Sequence, residues 1–557
     1  MEHVEFLRKN GYTVGNGVSK DLISRATGRF YTHELVGRHL VEATLDAFRF
    51  QGHSLLNLID PFCGDGRLIC WLMEAIASRE GCKRRGLNVH LWDCDEDALR
   101  EAGCRISEIA RKLSLDAEVK PARVDTFQRA PGRYGQFDLV ITNPPWEVLK
   151  PDRRELQQLG QEDASEYVAK LRQRTAVLAQ SYPLSMPSRR FAGWGINLAR
   201  CGTEVALRLC APHGVCGIVS PSSLLADQVS EKLRRWIFSE HVIHDLAYYP
   251  AEARLFDQVD QPSMTLVAAS GRPVGSSVRV TIYDRKHGKR AQTSMFVDNS
   301  LLEATGFTFP LHLGSYGMQF LPRWHDLPTF SNLEGPRPPD LWAGRELDET
   351  RRERYLANHG NYLFLKGRMV ERFGIVAIPR EFVRHDGPRI PRSADHFRVA
   401  WRDVSRPSQK RRIHATLIPP GWVTGNSLNV AYFRDDNLCR LKALLGVMNS
   451  LVFEFQVRAY LGTAHVSLGT VRRVHVPRLS SEQARGGIVE LTERCLSGDE
   501  VARADLEVQV AKLYGLSQQD FAQLVSAFDK LDEAEVDALM SQTAWSANPR
   551  KCTEDKA

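Results

Sequence analysis

The chain has 557 residues, 43% hydrophobic and 25% charged, with a formal net charge of +7, the composition of a globular protein long enough for two or more cores. No run of about twenty apolar residues occurs and Met1-Glu2-His3-Val4-Glu5 lacks a signal-peptide pattern, so a cytoplasmic protein with no membrane span is expected. Eleven cysteines, an odd number without Cys-x-x-Cys pairs or Cys/His ligand spacing, argue against a disulfide framework and a zinc site, and no metal is expected.

Leu55-Leu56-Asn57-Leu58-Ile59 reads as a buried parallel strand. The turn Asp60-Pro61-Phe62-Cys63-Gly64-Asp65-Gly66 follows, then a helical pattern at Leu68, Ile69, Leu72, Met73 and Ile76. Glycines at a strand-to-helix turn let a ligand approach the backbone. No third glycine follows Arg67, which separates this turn from a nicotinamide-binding fingerprint. The next strand, Leu87 to Trp92, ends at Asp93, a carboxylate placed where a ribose diol would lie. Ala122-Arg123-Val124 leads to Asp125-Thr126-Phe127, an acceptor and a stacking surface for an adenine ring. A lone Asp more commonly caps a helix, but three such acids at consecutive strand ends are less easily accidental.

The run Phe137-Asp138-Leu139-Val140-Ile141-Thr142 ends in Asn143-Pro144-Pro145-Trp146. Proline fixes φ near about −65° and has no N–H, so the two prolines hold a short rigid turn. The Asn143 amide oxygen and a main-chain carbonyl converge there beside the flat face of Trp146, an arrangement suited to the exocyclic amine of a planar base. Asn-Pro is also an ordinary turn dipeptide; the upstream strand ends favour the catalytic reading. No Pro-Cys dipeptide exists, which disfavours a cysteine-dependent attack on a cytosine carbon.

In order along the chain, these pieces resemble an S-adenosylmethionine-dependent adenine-N6 DNA methyltransferase of the gamma class, the type carried by type II restriction-modification systems. Gly28 to Val36 is similar to that family's N-terminal motif, which implies that Thr32 lies beside the cofactor; the usual proline after it is His33 here. The resemblance implies cofactor roles for Asp60, Phe62, Gly64, Gly66, Asp93, Asp125 and Phe127, and a catalytic role for Asn143, Pro144, Pro145 and Trp146. Trp146 stands where tyrosine or phenylalanine is usual. Gly214 to Ser223 resembles a later strand of the family, followed by a helix with Leu233, Arg234 and Ile237. Leu255-Phe256-Asp257-Gln258-Val259 resembles the segment whose aromatic ring packs on the extruded base, so Phe256 and Trp146 are expected to sandwich it. Asn143 and the Pro144 carbonyl would accept from N6 and favour a pyramidal nitrogen facing the methyl donor, with positioning and electrostatics supplying most of the acceleration. Asparagine at 143 favours adenine over cytosine N4 by resemblance.

Residues 361 to 415 hold thirteen Lys or Arg against five acids, enough to account for the whole excess of the chain. Interleaved aromatics make the stretch look folded. Behind a base-modifying domain it reads as a target-recognition domain for double-stranded DNA, with Arg368, Arg392, Arg402, Lys410, Arg411 and Arg412 as duplex contacts. Leu441 to Pro477 more loosely resembles repeated pieces of restriction-system recognition domains and reads as an amphipathic helix entering a short strand. From Ser481 the pattern is helical, with fifteen acids against eight Lys or Arg, so this tail is expected to avoid phosphate and pack on the protein.

The expected organisation is a lead-in over 1–27 and a Rossmann-like α/β methyltransferase domain over 28–275, with a mixed, mostly parallel sheet and a loop or helical flap inserted at about 150–192. A connecting region (276–339), an α+β recognition domain (340–480) and a helical tail (481–557) follow. A separate restriction endonuclease is the expected functional companion. Three rivals stand beside this reading. An RNA or protein-glutamine methyltransferase is usually shorter; a bifunctional cleaving enzyme needs a carboxylate-lysine cluster, for which Glu118-Val119-Lys120 is the only hint; and a non-catalytic recognition subunit need not keep Asn143 and the glycine turn.

Overall fold

The computed structural model describes residues 31–545 apart from 51–53, 80–84, 151–160, 188–194, 257–260, 272–275, 298–301, 304, 338–339, 349–355, 385–386, 407–408, 462–464 and 479–481. The chain divides into two compact units, Met1–Ser315 and Tyr316–Ala557.

The first unit is built on β1 (Leu55–Asp60), β2 (Gly86–Asp93), β3 (Ala117–Arg123), β4 (Phe137–Thr142), the short pair β5 (Val148–Leu149) and β6 (Ile196–Asn197), β7 (Cys210–Pro221), β8 (His241–Tyr249), β9 (Ser263–Ser270), β10 (Ser276–Tyr283) and β11 (Lys289–Val297). Nine of them form one sheet in the order β11-β10-β8-β9-β7-β4-β1-β2-β3. The joins β10–β8, β7–β4, β4–β1, β1–β2 and β2–β3 are parallel, while β9 is antiparallel to both β7 and β8. The sheet is therefore mixed and mostly parallel, as expected. Leu58, Ile59, Leu139, Val140, Ile141, Ile218 and Val219 are buried in succession, the unbroken pattern of parallel strands covered by helices rather than the alternation of a half-wet sheet.

The helices of this unit are α1 (Glu34–Ala47), α2 (Arg67–Ser78), α3 (Glu96–Leu113), α4 (Thr126–Arg129), α5 (Gln161–Ser181), α6 (Leu198–Leu209) and α7 (Glu231–Glu240). α3 shows how local chemistry sets them. Asp95 caps it by accepting from Asp97 N and Ala98 N, Glu96 and Asp97 occupy the first turn, and Arg111 and Lys112 the last, each charge favourable to the helix dipole. Leu99, Ala102, Ile106 and Ala110 then give it one buried face.

One expectation is corrected here. Residues 276–297 are not a connecting region: β10 pairs β8 in register, Arg279 opposite Asp245, and Val278, Val280 and Ile282 bury alternate positions. Arg279 Nε also donates to the buried Asp245 (2.5 Å), which His39 Nε2 on α1 meets at 2.8 Å. The insert after β4 contains α5, with Tyr167, Leu171 and Leu178 buried; the rest of it lies partly outside the described residues.

The second unit holds a four-stranded sheet in the order Leu341–Gly344, Leu428–Phe433, Arg398–Arg402, Ala415–Ile418, and a smaller one of Leu356–Ala357, Phe382–Val383, Tyr362–Leu365 and Trp422–Thr424. Helices Leu438–Met448, Leu451–Tyr460, Glu482–Leu496, Glu500–Leu513, Gln518–Ser526 and Glu533–Met540 complete it. Where a helix entering a short strand was expected over Leu441–Pro477, a second helix follows the first: Ser450 caps Leu451–Tyr460 through Phe453 N, and Leu451, Val452, Phe453 and Phe455 are all buried, so no alternation survives to signal either period.

Candidate functional site

The strand order places β4, β1, β2 and β3 side by side. Asp60 ends β1, Asp93 ends β2, and Asn143 and Asp125 stand just past β4 and β3, so all four lie along one carboxyl edge of the sheet. The chain runs from β1 to β2 and β3 in one direction and returns to β4 on the other side of β1. Asp60 and Asn143 thus flank the crevice where ligands enter open α/β sheets.

Asp60 is almost wholly buried and accepts from Thr142 Oγ1 (2.7 Å) and Phe62 N (3.1 Å). Loss of solvent pushes its carboxyl up to about 7, the two hydrogen bonds opposing the shift and nearby Asp93 and Asp65 adding to it. Gly64 and Gly66 both take positive φ, +49° and +76°, a backbone that side-chain-bearing residues rarely adopt. Asp93 faces this loop, accepting from Gly64 N through Oδ2 and from Asp95 N through Oδ1, both at 2.9 Å. Above Gly64 the space is open: a Cβ there would meet only Tyr31 Cε1, at 3.8 Å. An open glycine turn with a half-buried carboxylate beside it fits the ribose end of a nucleoside cofactor.

Asp125 also caps α4, accepting from Phe127 N at 2.9 Å. Phe127 is buried between Phe62 (centroids 5.3 Å) and Tyr182 (5.8 Å), and Tyr182 Oη donates to the Phe127 carbonyl at 2.5 Å. Phe62, half-buried, is the more accessible of the two rings expected at the adenine.

Asn143 and Thr32 are brought together across the sheet edge, the Asn143 amide nitrogen donating to Thr32 Oγ1 at 3.2 Å. Thr32 is itself pinned, its carbonyl accepting from Arg67 Nη1 (3.0 Å), while Arg67 is held by Asp65 and lies 4.6 Å over the Tyr31 ring. Pro144 is fixed from behind by α6, where a Cβ on Gly202 would sit 2.3 Å from Pro144 Cβ. Trp146 and Phe256 do meet, but they touch each other, with centroids 4.8 Å apart and planes at 49°. A ring cannot be stacked between two rings that close, so the expected sandwich does not stand open in this conformation. Thr142, Asp65, Arg67, Tyr31, Tyr182 and Gly202 were missed by the motif reading. Thr142 and Asp65 lie inside the quoted motifs, but only the fold reveals what they hold. Gly28 to Phe30 and Asp257 to Val259 lie outside the described residues.

Most of the basic stretch is spent internally. Arg411 is buried, pairing with Glu454 (2.8 Å) and Glu507 (3.1 Å) and donating to the Asn449 carbonyl. Arg412 is also buried. Arg402 binds Glu371 (2.5 Å) and the Val370 carbonyl, and Lys410 reaches Glu535 (2.5 Å) and Asp532 (3.1 Å) in the acidic tail. Arg402, Arg411 and Arg412 are therefore corrected from duplex contacts to internal charges, whereas Lys410 is 43% exposed and makes its ion pairs at the surface. Arg368 and Arg392, like Arg380 and Arg389, are exposed and make no ion pair among the described residues. Among those residues no helix is long and apolar enough to cross a membrane, and no group of three His, Cys, Asp or Glu could hold a metal.

No family model and no curated protein sequence matches the chain. Among solved structures it resembles the type IIL restriction-modification enzyme MmeI in complex with DNA, with a TM-score of 0.53 and 11% identity over 91% of this chain and 75% of that one. It also resembles the protein of a DrdV–DNA complex, with a TM-score of 0.51 and 9% identity over 86% of this chain and 58% of that one. At such identities the likeness is one of fold.

Proposed function

We propose that this chain is a site-specific DNA methyltransferase that moves a methyl group from S-adenosylmethionine to the N6 amine of an adenine extruded from duplex DNA, within a restriction-modification system served by a separate endonuclease. The observation that carries the reading is the single carboxyl edge on which Asp60, Asp93, Asp125 and Asn143 stand, with Asn143 tied to Thr32 beside the glycine turn. The fold it shares with proteins solved on DNA favours DNA over RNA or a protein glutamine.

The Gly64–Gly66 turn, Asp93 and Asp125 would hold the cofactor, which supplies a methyl carbon made electrophilic by its sulfonium. Asp93 accepts hydroxyl hydrogens and Asp125 an amino hydrogen, the acceptor role open to an ionised carboxylate. The Thr32 hydroxyl orients the Asn143 amide through its nitrogen, so that Oδ1 is the end that accepts from the target amine. The Pro144 carbonyl, immobilised by the proline pair and by Gly202 behind it, is the second acceptor. Two acceptors in fixed directions favour a tetrahedral nitrogen, and holding that nitrogen in line is worth more than any proton transfer the site could offer. Base extrusion precedes this, because the amine is paired and stacked inside a duplex. On the second unit, exposed Arg368, Arg380, Arg389, Arg392 and Arg406 are among the cations open to phosphate. Val376 and Ile378, 63% and 78% exposed, stand among them in sequence.

The test is tritium transfer from labelled cofactor to duplex DNA by wild-type protein and by Asn143→Ala. Transfer should fall by at least about a hundredfold, the loss typical of removing one preorganised polar group, while cofactor affinity stays within about twofold. Unchanged turnover would refute the role, and labelled cytosine in place of adenine would refute the N6-adenine assignment.

A further inference from the structure

The second unit holds a cavity of about 370 Å³ lined, among the described residues, by charged and polar side chains alone. Four of them are cations: Arg372 from the turn after Val370–Glu371, Lys410 and Arg411 from the loop before Ala415–Ile418, and Arg503 from the helix Glu500–Leu513. The buried acids nearby do not cover these charges. Glu454 and Glu507 are shared by Arg411 (2.8 and 3.1 Å), Arg458 (2.7 Å to Glu454) and Arg372 (3.2 Å to Glu507), three guanidiniums against two carboxylates. Arg411 takes the larger part, donating inward through Nε, Nη1 and Nη2; burial opposes its charge, but Glu454 and Glu507 hold it above its ordinary value. Arg372 donates through Nη2 alone, to Glu507 and the Asn449 carbonyl. Burial and then the neighbouring Arg411 bring it down to about 10, and Arg503 works in the same direction. Arg503 has one ion pair, Nη1 to Glu500 at 2.7 Å, and Glu500 is 71% exposed, a pairing of little strength. Glu371 is the acid of the wall, and Arg402 (2.5 Å) and His414 (2.6 Å) already hold it.

We infer that this cavity is a binding site for an oxyanion of the phosphate class, held by Arg372 and Arg503. Two guanidinium forks brought from distant segments to one cavity match the paired oxygens of a phosphate, and an anion between them supplies the charge that Glu454 and Glu507 leave short. A wall without apolar or aromatic side chains offers no stacking face to a base and no contact to a hydrocarbon, so the anionic group itself is what the cavity takes. Its volume is at the lower end of the range of about 300–1,000 Å³ usual for ligand sites, room for a phosphate with part of its water. A duplex backbone and phosphate in solution present the same oxygens to these two arginines.

Full-length wild type, Arg503→Gln and Arg372→Met are titrated with sodium phosphate by calorimetry, against sodium chloride at matched ionic strength, and each is melted thermally. Wild type should bind phosphate with a Kd at or below about 1 mM. Arg503→Gln, which gives up only a surface ion pair, should melt within about one degree of wild type and lose about tenfold or more in phosphate affinity, the worth of a charge-assisted hydrogen bond. Arg372→Met should lose a comparable factor; if that variant does not fold, Arg503→Gln decides alone. A wild-type response no different from that to chloride overturns the inference, and so does equal phosphate affinity in wild type and Arg503→Gln, which would put the anion elsewhere. Repeating the wild-type titration with an oligonucleotide duplex present identifies the source: loss of phosphate binding assigns the cavity to the duplex backbone, retained binding assigns it to phosphate in solution, and either sustains the site. The first titration contains neither cofactor nor DNA, so its outcome is independent of the methyltransferase reading.

Discussion

Replacing Asp60 with Asn separates the structural part of this acid from its charge. Asp60 lies between β1 and β4, and both hydrogen bonds it accepts, from Thr142 Oγ1 and Phe62 N, go to Oδ1; an amide oxygen can accept both equally well. What the substitution removes is ionisation. Burial raises the carboxyl from an ordinary 3.8 to about 7, so the folded protein holds this proton where the unfolded chain has already released it. A raised acid therefore makes stability fall as pH rises, from about pH 4 until the folded group itself ionises near 7. At about 1.36 kcal/mol per pH unit, the full span is about 4 kcal/mol, of which about 3 kcal/mol falls between pH 5 and 8.5. Denaturant melts of the wild type and Asp60→Asn at those two pH values give the double difference: the variant should gain about 3 kcal/mol relative to the wild type on going to pH 8.5. Equal pH dependence of the two proteins would show that Asp60 is already ionised in the native state, and the argument that it is a buried link rather than an exposed ligand would fall with it.

Thr32→Val removes the hydroxyl that orients the Asn143 amide while keeping side-chain volume; methyl transfer under saturating cofactor should drop by about tenfold, the worth of one lost hydrogen bond of about 1.5 kcal/mol, and a fall in cofactor affinity with unchanged single-turnover rate would place Thr32 on the cofactor instead. Arg411→Met removes one of the two arginines on the fully buried Glu454 carboxylate, which, against the opposing effect of burial, Arg411 and Arg458 hold well below the usual range, at about 2, and should cost about 1.5–3 kcal/mol of stability by calorimetry or denaturant melting. Arg368→Gln with Arg392→Gln, both exposed, should leave the melting temperature within about one degree and reduce the salt slope of duplex binding by about 2; an unchanged slope would move the duplex away from this face.

The candidate site was legible where chemistry follows directly on a buried run. Leu55–Ile59, Leu87–Trp92 and Phe137–Thr142 are each followed by a polar residue, and the fold brings those residues to one edge of the sheet. What pairs with those residues was not legible, because the partners come from far along the chain: Thr32 is 111 residues from Asn143, and Asp60 is 82 from Thr142. The same limit explains the duplex assignment. A count over residues 361–415 shows thirteen cations, but Lys410 meets Asp532 and Glu535, and Arg372 and Arg411 meet Glu507, all carried by the acidic tail. Two segments of opposite sign that look independent in the sequence neutralise one another within a single unit. The residues that remain for phosphate are those the count cannot distinguish from the rest.

The contact between Trp146 and Phe256 raises a question of cost for the proposed mechanism, since an extruded adenine must displace one ring from the other. With centroids at 4.8 Å and planes at 49°, the pair is tilted rather than stacked, and such a contact is worth about 0.5–1.5 kcal/mol beyond its buried area. A base stacked on an aromatic side chain contributes about 1–3 kcal/mol. Exchange of one tilted ring–ring contact for one or two base–ring contacts is then neutral or favourable before any hydrogen bond to Asn143 forms. In the free protein the closed pair keeps two large apolar faces out of water, and because the base more than replaces what the pair loses, opening need not be driven by any other part of the molecule.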